Sequence, residues 1–277
     1  MSLFVSSLNS GSNGNCYYIG NQDDAILVDV GLSCRETERR MKRLGLSLRK
    51  VKAIFVTHGH GDHISGITKL SKKYQVPVYI TEGTRREGRL DLKHTRSIVF
   101  RAHEVIQIGG LAIDPFPIIH DANDPHGFSI RSEEVTVGVF TDLGVVNDHI
   151  VQQFERCNAA FLESNYDEEM LEKGSYPQAL KDRIRGGSGH LSNHQALRLV
   201  MEHKPPFMTH LFLSHLSHNN NTMEIVQELF ARIAGQTEIV IASRHKETAV
   251  YHIKPAPNLL TTQERLYQSQ PEQLSLF

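Results

Sequence analysis

Short apolar runs punctuated by Gly, Asn and Asp dominate the first part of the chain: "SLFVSSL", "CYYIG", "AILVDVG", "KAIFVTH" and "VPVYIT". Runs of this kind predict strands buried on one or both faces. "SNGN", between the first two, is a tight-turn signal. Apolar residues recur at helical spacing over Ser33–Leu44 and His63–Lys73, which predicts helices there. After Gly88 the strand-like runs return as "SIVF", "EVIQIG", "LAIDPFPII", "GFSIRS" and "VTVGVFTD". A last block holds "NAAFLES", "HLFLSH", "EIVIAS" and "TAVYHI", with helices expected near Gln178–Arg185, Asn193–Glu202 and Met223–Ile233. Strands thus recur from end to end, in two halves, with helices between them. That predicts a layered α/β domain over residues 1–254. From about Lys254 the composition turns to Pro, Gln, Ser and Asn, so 255–277 is expected to be a polar tail, poorly packed or partner-dependent.

Composition narrows this only in places. At 277 residues and 39% hydrophobic, the chain has ample material for a core. Its net charge of −1 advertises neither nucleic acid nor membrane globally, although a local basic groove remains open. No apolar run approaches the roughly 20 residues of a membrane span, and the start lacks the basic and apolar regions of a signal peptide. Cys16, Cys34 and Cys157 are scattered and form no CxxC pair. They are expected to be reduced thiols in a cytoplasmic protein. The unusual figure is 16 histidines, because His is both the commonest metal-ligand side chain and the acid/base of neutral pH.

"FVTHGHGDHISG" concentrates them. An apolar strand ends in a loop holding His58, His60, Asp62 and His63, and a helix begins at once. In an extended segment His58 and His60 point to one side. The glycines between them let the loop wrap, so Asp62 and His63 reach a second position nearby. Three imidazoles and a carboxylate this close are costly unless metal or water satisfies them.

This stretch resembles the HxHxDH signature of metallo-β-lactamase-fold hydrolases. The resemblance implies a four-layered αββα sandwich of two mixed sheets with outer helices, and further ligands downstream. His120, Asp142 and His215 each follow an apolar strand and match those ligands in order. His126 and His218 are near rivals that lie beyond the strand ends. The family pattern implies two metals, one on His58, His60 and His120, the other on Asp62, His63 and His215, with Asp142 bridging. Two such ions clamp the oxygens of a displacement and lower the pKa of bound water. Nitrogen and carboxylate donors without thiolate suit zinc, manganese or iron.

The fold alone does not name a substrate. "FLESNYD" and "GHLSN" narrow the choice, because Glu163 and His190 match a pair in phosphodiesterases of this fold, including transfer-RNA-processing nucleases. There the Glu orients a His that protonates the leaving oxygen, while a metal-held hydroxide attacks phosphorus. Asp62, Glu163 and His190 are therefore the implied catalytic residues. The stretches "SLNSGSNGNCYYI", "ILVDVGLS", "HDANDPHGFSI", "TDLG" and "LSHLSHNNN" extend the resemblance to the YycJ (WalJ) family of bacterial proteins, over roughly residues 6–221. That family implies an exonuclease on the 5′ end of duplex DNA. A cyclic-nucleotide or RNA phosphodiesterase, or a thioesterase or lactonase on the same metals, stays open. So does the substrate-binding surface. "NSGSNGN" is either a phosphate nest or a plain turn. The basic runs "CRETERRMKRLGLSLRKVK" and Arg85, Arg86, Arg89, Lys93, Arg96 and Arg101 are either solvated faces or tracks for a nucleic-acid backbone.

Overall fold

A computed structural model describes residues 2–93 and 95–255. The expected tail at 256–277 lies outside the described residues. The first sheet is built from β1 (Leu3–Asn9), β2 (Cys16–Gly20), β3 (Ala25–Val28), β4 (Val51–Phe55), β5 (Val78–Tyr79) and β6 (Ser97–Ile98). The second holds β7 (Ile106–Ile108), β8 (Leu111–Pro117), β9 (His126–Ser132), β10 (Val135–Phe140), β11 (Ala159–Glu163), β12 (His210–Ser214) and β13 (Glu238–Ile241). The last strand, β14 (Tyr251–Ile253), returns to the first sheet and pairs antiparallel with β1.

Both sheets are seven-stranded and mixed, with strand orders β14-β1-β2-β3-β4-β5-β6 and β13-β12-β11-β10-β9-β8-β7. In each, a run of antiparallel pairs passes into a run of parallel ones, at β3 and at β10. The two halves thus share a plan that no repeat in the sequence announces.

Side-chain alternation builds the layers. On β11, Ala159 and Phe161 face the other sheet, while Ala160 and Leu162 face the helices. On β3, Ile26 and Val28 face inward while Ala25 and Leu27 face outward. Both faces are buried, which is why these strands are apolar throughout. The outer layer on the first sheet includes α1 (Cys34–Arg43) and α3 (Ile67–Tyr74), which contribute Met41, Ile67 and Leu70. On the second sheet it includes α5 (Asp148–Phe154), α8 (Asn193–His203) and α9 (Met223–Ala231), through Ile150, Phe154, Leu199 and Phe230. The result is the expected αββα sandwich.

Two local expectations change. The helix expected over His63–Lys73 is broken into α2 (Gly61–Ile64) and α3. The break is at Gly66, whose N–H donates to the Val30 carbonyl at 2.8 Å. A Cβ there would lie 1.9 Å from the Leu32 carbonyl oxygen, so only glycine lets the two segments meet. Three short helices are not anticipated: α4 (Glu82–Glu87), α6 (Glu168–Lys173) and α5. Each spans too few turns for an apolar period to stand out, and each is instead marked by an N-cap, Thr81, Asp167 or Asn147. The remaining helix, α7 (Gln178–Arg185), falls where it is expected.

Phe161 is fully buried between the sheets and stacks on Phe212 with ring centroids 4.5 Å apart. Phe161→Ala is expected to cost about 3–5 kcal/mol of stability. Urea unfolding measures it, and a loss below about 1 kcal/mol would show that this layer repacks freely.

Candidate metal centre

Most sequence-nominated site residues lie at the carboxyl end of a strand or in the loop that follows; Asp62 and His63 sit in α2 just after β4, and His190 lies between α7 and α8. His58 follows β4, His120 follows β8, Asp142 follows β10, Glu163 ends β11 and His215 follows β12. Open α/β sheets place their ligands at this edge. Asp142 and His215 have φ of 57° and 58°, and Asp29, just past β3, has 59°. Left-handed backbone is costly for non-glycine residues and collects at functional sites. Here it turns each side chain sharply out of its strand.

Four imidazoles are held through Nδ1, with Nε2 turned toward the cluster; His120 and His215 leave it unpartnered, while His58 Nε2 lies 3.0 Å from His60 Nδ1. Asp29 is fully buried and accepts three hydrogen bonds, from the Thr57 N–H at 2.8 Å, the Thr57 hydroxyl at 2.7 Å and His63 Nδ1 at 2.7 Å. The Thr57 oxygen then accepts from His58 Nδ1 at 2.9 Å. His120 Nδ1 donates to the Gly189 carbonyl at 3.0 Å, and His215 Nδ1 to Glu163 Oε1 at 2.8 Å. These bonds fix the tautomers and leave the four Nε2 atoms facing a common space.

Around that space the donors fall into close groups. His58, His60 and His120 form one, Asp62, His63 and His215 another, and Asp142 joins His58 and His63 in a third and Glu163, His190 and His215 in a fourth. Asp142 Oδ2 is 3.3 Å from His63 Nε2, and Asp142 Oδ1 is 3.8 Å from His120 Nε2. Asp142 therefore stands between the first two groups. His120 Nε2, His215 Nε2 and Asp142 Oδ2 are buried with no hydrogen-bond partner. Orphaned polar atoms aimed at one point are what divalent-metal ligands look like without their ion. Electrostatics agree. Burial works against the His63 imidazolium, but Asp142, Asp29 and Asp62 outweigh it and hold its pKa at about 9. Burial and the neighbouring imidazoles push His58 well below its ordinary value, so it stays neutral with a lone pair to give. The carboxylates call for positive charge, and protons on histidine supply it here.

His190 adjoins the cluster, with Nδ1 3.8 Å from Asp142 Oδ1 and its ring centroid 5.3 Å from that of His215. Its Nδ1 donates to Glu163 Oε1 at 2.8 Å, and its ring lines a cleft of about 290 Å³ with His60, Asp62, His120, Asp142 and His215. Glu163 is fully buried, and its other oxygen accepts from the Leu143 and Leu191 N–H groups at 2.7 and 3.2 Å. Burial opposes the Glu163 carboxylate, yet His190 and His215 hold its pKa below the ordinary carboxylate range. Burial likewise opposes the His190 imidazolium, and Glu163 overrides it, so its pKa is raised.

The rivals fall away. His126 is not in a loop as its sequence context suggested. It opens β9, buried against Phe100, with Nδ1 on the Asp124 carbonyl. His218 is exposed, and so is His194, which pairs with Glu168. Cys16 and Cys157 are buried in the core, where burial pushes the Cys157 thiol up to about 12. Three residues went unnoticed in the sequence. Asp29 obeys the same rule as the others, a charged residue directly after an apolar strand, and was legible in "ILVDVG". Asn15, whose Nδ2 lies 2.9 Å from His63 Nε2, and Arg183, paired with Asp121 at the rim, carry no sequence signal.

Residues 10–195 match the family described as the Metallo-beta-lactamase superfamily. The chain belongs to that superfamily, in the YycJ/WalJ family. It is 35% identical over 230 residues to the Bacillus anthracis protein named Exodeoxyribonuclease YycJ, covering 82% of this chain and 87% of that one. It is 29% identical over 257 residues to Exodeoxyribonuclease WalJ of Streptococcus pneumoniae, covering 90% and 94%. Among solved structures, the metallo-beta-lactamase fold protein YhfI from Bacillus subtilis superposes with a TM-score of 0.71, covering 91% of this chain and all of that one. At 18% identity that likeness speaks to the fold alone.

Below about pH 9 His63 carries a proton that a bound metal must displace. Metal affinity is therefore expected to rise with pH across the neutral range, by about tenfold per unit for each proton released. Calorimetric metal titrations at several pH values read this directly, and a pH-independent affinity contradicts it. Asp29→Asn frees the His63 ring and is expected to weaken metal binding by about 10–100-fold.

Proposed function

We propose that this protein is a dinuclear metal-dependent phosphodiesterase acting as an exodeoxyribonuclease on the 5′ end of duplex DNA. His58, His60 and His120 hold one divalent ion, Asp62, His63 and His215 the other, and Asp142 lies between them. Zinc and manganese both suit these donors, and iron is compatible. The ions supply Lewis acidity and a water acidified toward neutrality.

The observation that carries the reading is the Glu163–His190 pair. An ordinary metal-ligand histidine points its free nitrogen at the ion. His215 shares the Glu163 anchor but has its Nε2 buried without a partner, whereas the His190 side chain is 22% exposed at the cleft, with burial outweighed by Glu163 so that its pKa is raised. His190 keeps a proton near neutral pH and holds it where a departing alkoxide oxygen requires one. An ester with a good leaving group has little use for this. The two relatives named above carry exodeoxyribonuclease names, which supports DNA as the polymer. No helix among the described residues is long and apolar enough to cross a membrane, and we place the protein in the cytoplasm with its nucleic-acid substrate.

His190→Ala is expected to cut turnover of 5′-phosphorylated duplex DNA by about 10²–10⁴-fold. Metal content stays at two ions per chain. The loss on bis-p-nitrophenyl phosphate is far smaller, because nitrophenolate leaves as a stabilised anion. Equal losses on both substrates, or loss of metal, would overturn the proton-donor role. Turnover of thioesters or lactones with none of either phosphodiester would overturn the phosphodiesterase reading itself.

A further inference from the structure

The two basic runs in the sequence have different fates. On α1, Arg39, Arg40 and Arg43 are committed within the fold. Arg39 and Arg40 pair with Glu36 at 2.7 Å, and Arg43 pairs with Glu247 at 2.6 Å. Arg40 is buried, with its guanidinium on the Leu8 carbonyl and the Asn9 side chain. The run on α4 and residues 88–93 is not committed. There the acidic residues are occupied. Glu82 pairs with Arg85 at 2.9 Å, Glu87 accepts from the Asn123 N–H at 3.0 Å, and Asp91 accepts from the Lys93 N–H at 3.2 Å. Arg86 comes no nearer than 4.0 Å to Glu82 and is 78% exposed. Arg89 and Lys93 are exposed and have no side-chain partner among the described residues.

Their position is the second observation. Helix α4 is wedged between the two loops that carry His58, His60 and His120. A Cβ on Gly59 would lie 2.7 Å from Glu87 Oε2 and 2.9 Å from the Gly88 nitrogen. On the other side, Thr84 donates to the Asn123 and Asp124 carbonyls at 3.3 Å. Arg86 and Arg89, which flank Glu87 and Gly88, are therefore held beside the loops of the metal cleft, and Lys93 follows in a neighbouring hollow that Arg85 also lines.

We propose that Arg86, Arg89 and Lys93 form the track on which the sugar-phosphate backbone of duplex DNA rests as its end enters the cleft. The proposal rests on the phosphodiesterase reading above. Unpaired cations beside a centre that attacks phosphodiesters fit a polyanion. The large apolar side chains exposed among the described residues are Val99, Val105, Ile119, Met201 and Met223, all aliphatic. Tyr176 lines the metal cleft, whereas residues 82–93 carry no aromatic side chain, so this surface grips backbone charge. The metal cluster positions the scissile bond, and these cations supply grip at a distance from it.

The test removes three charges at once as R86Q/R89N/K93Q. Asn is chosen for Arg89 because its backbone is left-handed, with φ of 47°. The control removes three exposed charges remote from the cleft, as K42Q/R49Q/K52Q. Binding of a fluorescein-labelled phosphorothioate duplex, which resists cleavage, is followed by anisotropy across a salt series. Each lost phosphate contact flattens the plot of log affinity against log salt by about 0.9, so a drop in slope of about 2–3 is expected, with at least a tenfold loss of affinity. The control keeps the wild-type slope, and all three proteins turn over bis-p-nitrophenyl phosphate at one rate. An unchanged slope in R86Q/R89N/K93Q, or an equal loss in the control, overturns the proposal. A wild-type protein that binds duplex through these residues but cleaves no DNA upholds the track and sinks the exonuclease reading. One that cleaves DNA with an unaltered slope does the reverse.

Discussion

A single carboxylate oxygen, Glu163 Oε1, accepts from two imidazoles, His190 on one side and His215 on the other, each at 2.8 Å. One of these rings belongs to the donor cluster and the other stands beside it. Their common anchor ties the position of His190, the proposed proton donor, to that of the cluster. Glu163 affords this role because its second oxygen is held by two backbone N–H groups, so the carboxylate cannot rotate away. A fully buried carboxylate is tolerated only with such compensation. Asp29 plays the matching part under the other sheet, where it holds His63 and Thr57.

These two buried acids explain why the sandwich is built as it is. Each lies at a strand end, one in each sheet, and the sheets bring their carboxyl edges together over a shared apolar core. The core makes the edges rigid. The edges then hold two imidazoles with an unpartnered nitrogen and a carboxylate with an unpartnered oxygen, an arrangement that opposes folding on its own account. A divalent ion removes that penalty, so metal binding and stability are linked here.

Much of this was legible in advance. The apolar runs, their order and the polar residue ending each one gave the layers and nominated the cluster. They did so because a strand buried on both faces must be apolar and must stop where chemistry begins. Short helices such as α4 escaped notice because six residues carry too little periodicity. The break at Gly66 was hidden because helical spacing continues across it, and only the approach of the Val30–Leu32 segment forbids a side chain there. His126 was misplaced because its strand begins one residue earlier than the apolar pattern shows.

Sequence alone determined which residue types were available and which strand would carry each to its end, since period-two burial and HxHxDH spacing are local properties. It did not determine partnership. That Glu163 serves His215 as well as His190, that Asn15 leans on His63, and that Arg43 pairs with Glu247 while Arg89 and Lys93 have no side-chain partner among the described residues are facts about segments far apart in the chain. Hydrogen bonds and ion pairs act over a few ångströms. Only the packing of two sheets edge to edge decides which distant groups come within that reach.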